Sequence, residues 1–347
     1  MRYIITLLAT ATPALAEVPK VVTDIPPVHA LVAQVMGDLG APELLLARGA
    51  DEHDFQLKPS QAGAVADSDL VVWIGPELTP WLDDALDSRP EGAAALALLH
   101  GEGTMLRAYG EAKADAHGHG EHADEHGHED EHGHADEHAA KDGHGEEHEH
   151  ADEHADAHGH ADEHAAGSED EHDHGSEDPH AWLDPGNAQV WLGLIAAELG
   201  RIDPENAAVY TANATAAGER IAALDAELQA LLAPVKDKPL VTFHDAYGYF
   251  SDHYALTFVG SIALGDASSP GAARLSELRG ELEAGGVVCL FPEVQHDASL
   301  VEQLAEGTAV KIGGALDPVG SSLEPGPEAY AALLRGMATV IADCAGT

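Results

Sequence analysis

"DPENAAVYTANATAAGERIAALDAELQALLAP" occupies residues 203–234 and reads as one uninterrupted helix. Asp203-Pro204-Glu205 has the form of an N-cap followed by proline at the first helical position. Apolar residues then recur at Tyr210, Ala214, Ala217, Ile221, Leu224, Leu228 and Leu231. Their spacing alternates between four and three residues, so a single face is buried from end to end. Pro234 stops the helix. At 1.5 Å per residue the segment would run about 43 Å, enough to cross two domains.

The chain on both sides of this helix alternates between strand-like and helix-like text. Before it come "VPKVVTDIPP", "VHALVAQVMGDLG", "ELLLARGADEHDFQLKPS" and "PSQAGAVADSDLVVWIG"; after it come "PLVTF", "YALTFVG", "GGVVCLF" and "TAVKIG" as strands with helices between. Such a rhythm builds βαβ units on mainly parallel sheets. The expected fold class is therefore α/β, two lobes joined by one long rigid helix. We read residues 17–203 as the N-terminal lobe, 204–233 as the interlobe helix and 234–347 as the C-terminal lobe.

Two segments stand outside this rhythm. Arg2, the apolar stretch Ile4 to Ala11 and Ala14-Leu15-Ala16 form a secretory signal over residues 1–16, with Glu17 starting the mature chain. No cysteine lies near the cut, which argues against a lipid anchor and for an exported, periplasmic protein. Residues 115–178 are the second exception. This insert in the N-terminal lobe contains "HGHGEHADEHGHEDEHGH" at 117–134, and 17 of the chain's 24 histidines lie between His117 and His174. Having little to bury, it should be disordered without metal. About half of the net charge of −46 sits there, and the rest is acidic too, which argues against a nucleic-acid or anionic-membrane surface. "HEDEH" at His128 to His132 matches H-E-x-x-H, but that signature requires a helix in an enclosed cleft. In a segment made largely of His and Glu we read the match as chance.

Outside the insert, three histidines have a context that suits a ligand. His53 follows a predicted strand, His180 precedes a helix, and His244 ends a predicted strand in "LVTFHDAYGYF". Ligands collect at the carboxyl ends of parallel strands. His29 and His253 read as surface or helix-face residues, and His100 and His296 as solvated loop residues. Asp245 or Tyr247 can orient His244. The two cysteines, Cys289 and Cys344, suggest a disulfide in an exported protein, the alternative being two separate buried thiols.

"GADEHDFQLKPSQ", "DLVVWIGPEL", "DPHAWLDP", "FHDAYGYF", "VVCLFPEVQ" and "GALDPVG" resemble, in order, the motifs of periplasmic zinc-binding proteins of ABC importers, most closely the high-affinity zinc-uptake (ZnuA) type. The resemblance covers nearly all of the mature chain except the acidic insert. It implies two α/β lobes on a rigid helix with Zn²⁺ between them, His53, His180 and His244 as imidazole ligands, and a Cys289–Cys344 disulfide. Glu52, Asp317 or water completes the coordination, with Glu52 or water ahead of Asp317. Three imidazoles and one further donor suit zinc, whereas a manganese or iron carrier would use more oxygen donors. The implied partners are an ABC membrane permease, the zinc ion and a periplasmic zinc chaperone, for a monomer that is not an enzyme. Affinity should fall as pH drops through the imidazole pKa of about 6.5. The insert is then an auxiliary segment that gathers or senses zinc. The competing readings are a zinc buffer whose store is the insert and a hydrolase with an open zinc position.

Overall fold

The computed structural model describes residues 18–53, 55–90, 92–108, 177–263 and 270–346. The signal segment, the H-E-x-x-H match and nearly all of the histidine-rich insert lie outside them.

The N-terminal lobe runs β1 (Val21–Thr23), α1 (Pro26–Met36), β2 (Glu43–Leu44), α2 (Pro59–Ala66), β3 (Leu70–Trp73), α3 (Pro80–Asp87), β4 (Ala94–Ala97) and α4 (Pro185–Ile202). Its four strands are all parallel, in the order β2-β1-β3-β4. Strands β1 and β3 are buried at every residue, which is why neither alternates and β3 reads as an unbroken apolar run. Strand β4 escaped the sequence reading: its Ala-Ala-Leu-Ala has no β-branched or aromatic residue, and its position comes from pairing with β3. Helices α1, α2, α3 and α4 all open with proline, whose missing N–H costs nothing there.

Helix α5 (Ala207–Leu232) is the long helix, 26 residues or about 39 Å. Both of its ends differ from the expectation. Asp203 closes α4, and α5 itself starts only at Ala207; the Asp203 carboxylate still reaches that start, accepting from the Asn206 backbone amide (3.4 Å), the Asn206 side-chain amide (2.7 Å) and the Tyr210 hydroxyl (2.9 Å). At the other end Leu232 is buried and Leu231 is 37% exposed, since the apolar stripe takes a four-residue step from Leu228. The remaining buried positions, Tyr210, Ala214, Ala217, Ile221, Leu224 and Leu228, are those of the expected stripe.

The C-terminal lobe runs β5 (Pro239–Thr242), α6 (Gly248–Tyr254), β6 (Thr257–Ser261), α7 (Ala272–Glu283), β7 (Cys289–Leu290), α8 (Ser299–Ala305), β8 (Lys311–Ile312) and α9 (Ala329–Ala345). Its sheet repeats the first arrangement, all parallel in the order β6-β5-β7-β8. Helix α5 packs against α1 and α4 of the first lobe and α9 of the second. One apolar cluster is continuous from Val21 and Trp191 through the α5 stripe to Phe250, Phe291 and Ile341. Trp182 donates to the Pro318 carbonyl (2.8 Å), and Tyr330 donates to the Trp182 carbonyl (2.8 Å), so fully buried side chains also tie the lobes. Cys289 and Cys344 form a disulfide between β7 and α9. No helix among the described residues is long and apolar enough to cross a membrane.

His253 is not the bland surface residue read from the sequence. Its Nδ1 lies 2.9 Å from Asp184, the N-cap of α4, and its Nε2 lies 2.8 Å from Asp225 of α5. The hydrogen bonds that its ring donates to Asp184 and then to Asp225 outweigh partial burial and raise its pKa to about 9. The other titratable groups around it are Tyr254 on α6 and Tyr330 on α9, both raised by burial. A histidine pKa raised on folding stabilises fully below the unfolded value of about 6.5 and loses that contribution as pH rises through the folded value. With the side chain 21% exposed, we expect about 1–2 kcal/mol to disappear between pH 6.5 and 9. Urea unfolding across that range should show the loss in the wild type and a flatter profile in His253→Gln. Equal pH profiles would mean that the three charges do not act as a clamp.

Candidate metal centre

His53, His180 and His244 come from three separate segments. His53 lies between β2 and α2, His180 immediately before the short 3-10 turn Ala181–Leu183 that leads into α4, and His244 just beyond β5. The first two belong to one lobe and the third to the other. One ring nitrogen from each can be chosen so that all three lie within 4.8 Å of one another. The ring centroids are 5.7 Å apart for His53 and His180, 6.1 Å for His53 and His244, and 5.4 Å for His180 and His244.

Two of the imidazoles are held at the far nitrogen by buried carboxylates. His180 Nδ1 lies 2.8 Å from Asp178 Oδ1, whose other oxygen is 3.1 Å from the Arg107 guanidinium. His244 Nδ1 lies 2.7 Å from Glu293 Oε2, and Tyr247 donates its hydroxyl to Glu293 Oε1 at 2.9 Å. A carboxylate at Nδ1 sets the tautomer, so that Nε2 presents its lone pair to the centre of the cluster. The Nε2 atom of His244 is buried with no hydrogen-bond partner among the described residues.

Electrostatics follow from burial. Burial pulls the His244 pKa down, but the charge and hydrogen bond of Glu293 outweigh it and leave the pKa raised. For Glu293 burial pushes up, and the attraction of His244 with the bonds from His244 and Tyr247 holds it below the ordinary carboxylate value. Glu52 is 1% exposed, and burial drives its pKa to about 8. One Glu52 oxygen lies 3.8 Å from His53 Nε2, and the other accepts from the Gln295 amide at 3.1 Å. Asp317 is placed differently. Its Oδ1 accepts from the Ser321 amide (2.8 Å), and its Oδ2 accepts from the Ser322 amide (2.9 Å) and hydroxyl (2.5 Å). Those bonds occupy it as the cap of its own turn.

The sequence reading did not assign Asp178 and Glu293. The first sits two residues before His180 in D-P-H, and the second three residues beyond β7, the kind of position at which the histidines were found. Of the flanking candidates at His244, Tyr247 acts through Glu293. Asp245 has a pKa raised by burial and then by the charge of Asp178. His296 is likewise not a plain loop residue, since it stacks on Phe243 (4.3 Å) with its Nε2 3.7 Å from Glu293. His29 is buried, its Nε2 3.2 Å from the Pro42 carbonyl.

Three imidazoles at this separation, two with oriented tautomers, make a cradle for a cation of borderline softness. The sequence model of the family described as zinc-uptake complex component A, periplasmic (ZnuA) matches residues 21–344. The chain is 52% identical over 336 residues to the high-affinity zinc uptake system protein ZnuA of Paracoccus denitrificans (strain Pd 1222), covering 97% of this chain and 94% of that one. To the corresponding protein of Brucella abortus (strain 2308) it is 39% identical over 325 residues, covering 93% and 91%. Among solved structures, the solute-binding protein FpvC of Pseudomonas aeruginosa in complex with Mn²⁺ superposes with a TM-score of 0.69 at 19% identity, covering 95% of this chain and 99% of that one. A crystal structure of ZnuA superposes at 0.67 and 20% identity, covering 94% and 99%. At those identities the superpositions establish the two-lobed fold.

Proposed function

We propose, because this chain belongs to the ZnuA family of periplasmic zinc-uptake components, that it captures Zn²⁺ in the periplasm and delivers it to an ABC permease for high-affinity uptake. One observation carries this reading: three imidazoles from both lobes converge on one point, two of them steered by buried carboxylates. His53, His180 and His244 are the ligands, with Glu52 as the fourth donor. Asp317 is the weaker candidate because its oxygens already accept from Ser321 and Ser322. The imidazole-rich set favours zinc over manganese, whose sites use harder oxygen donors. Residues 1–16 act as the export signal, and residues 17–203 and 234–347 are the two lobes that share the ion.

The histidine-rich insert, in this reading, gathers or senses zinc while the ordered site sets the affinity. A flexible segment spends ordering entropy on each ion that a preformed site does not. A chelator-competition titration of the mature chain against a variant lacking residues 115–176 tests the division. We expect the deletion to keep one tight site with unchanged affinity and preference for zinc over manganese, and to lose only the weaker equivalents. Loss of the tight site on deletion would make the protein a buffer whose store is the insert.

A further inference from the structure

A second cluster of metal-ligating side chains lies outside the triad. Glu77 stands in the turn between β3 and α3, His100 follows β4, and Glu177 lies at the far end of the insert, where the described residues resume. His100 Nε2 is 2.7 Å from Glu77 Oε1, and His100 Nδ1 is 3.8 Å from Glu177 Oε2. One ligand atom from each can be chosen so that all lie within 4.8 Å of one another.

The surroundings of this cluster are those of a built site. The Glu77 side chain is 3% exposed, turned back over its own turn, with Oε2 2.5 Å from where a Cβ on Gly75 would stand. Gly75 takes φ 153°, so the turn needs glycine both for its backbone and to make room for the carboxylate. His100 is 47% exposed and Glu177 38%, which leaves one side open for water ligands and for entry. The segment carrying Glu177 is itself fixed: Glu177 bridges Ala108, and the Asp178 amide donates to the Arg107 carbonyl at 2.8 Å.

We infer that Glu77, His100 and Glu177 form a second divalent-cation site at the root of the insert, for a borderline cation such as zinc. One imidazole and two carboxylates provide three donors of the right kind, with water completing the shell. With fewer imidazoles and more solvent than the triad, the site binds more weakly and exchanges faster. Its position also links it to the triad through the chain: Glu177 would hold this ion, and the adjacent Asp178 orients His180.

The exposure of His100 allows a test in the full mature chain. Diethyl pyrocarbonate modifies accessible imidazoles, and peptide mass spectrometry resolves His100 from the histidines of the insert. In graded zinc chloride, His100 should become saturably protected at concentrations above those that fill the triad, with manganese chloride protecting it less. In Glu177→Gln the half-protecting zinc concentration should rise about tenfold or more, in line with the loss of a carboxylate partner at a metal site. Glu77→Gln should do the same while leaving triad affinity unchanged. A His100 that stays fully reactive in zinc, or whose protection is indifferent to both substitutions, overturns the site.

Discussion

His244→Ala is expected to lose tight zinc binding, with Kd rising by more than about a hundredfold, since even the partners behind metal ligands are worth 10–100-fold. The substitution does two things at once. It removes one of the three nitrogens that face the centre, and it strips Glu293 of the imidazole at 2.7 Å. Glu293 would then be a buried carboxylate facing Tyr247 and the more distant His296. Breaking one side of a buried pair costs about 3–5 kcal/mol, so a weak binder could simply be a poorly folded one. His244→Gln separates the two effects. Its amide can still donate to Glu293 but supplies no imidazole. We expect His244→Gln to be nearly as defective in chelator competition as the alanine variant, and clearly more stable in urea. Wild-type affinity in His244→Gln would remove His244 from the ligand set, and with it the convergence of the two lobes on one ion.

The parts of this molecule that were legible in its sequence are those written in a local period or a short motif. The βα rhythm, the α5 stripe and the histidines beyond strand ends all have that character. What escaped depends on contacts distant along the chain. Strand β4 is three alanines and a leucine, none of them β-branched, that take strand form because β3 offers them a parallel edge. His253 looked like a residue on a helix face, and no local pattern shows Asp184 and Asp225 arriving from two other helices. Glu293 is the clearest case: it lies 49 residues beyond the histidine it orients, and only the β5–β7 pairing brings them together. Local period and short motif thus pointed to the three histidines, while Glu293, which sets the tautomer of one of them, required the sheet.

Removing the disulfide should test how far scaffold and site are separable. Cys289 and Cys344 are 55 residues apart, and the bond joins β7 to the last helix. In the chain-entropy account a loop of that length contributes about 4 kcal/mol, mostly by restricting the unfolded chain. Against a total stability of about 5–15 kcal/mol this is a large share. We therefore expect Cys289→Ala/Cys344→Ala to unfold at markedly lower urea and temperature, by about 4 kcal/mol in two-state analysis. Zinc affinity at 25 °C is expected to behave differently. Glu293 follows β7, whose hydrogen-bonded pairing with β5 and β8 persists without the sulfur bridge. The Phe291 amide also still donates to the Val241 carbonyl at 2.9 Å. Because the bond acts mainly on the unfolded chain, the folded variant should bind zinc as the wild type does, provided it is assayed well below its midpoint. A parallel drop in affinity and stability would show instead that the tether to α9 holds Glu293, and through it His244, in place.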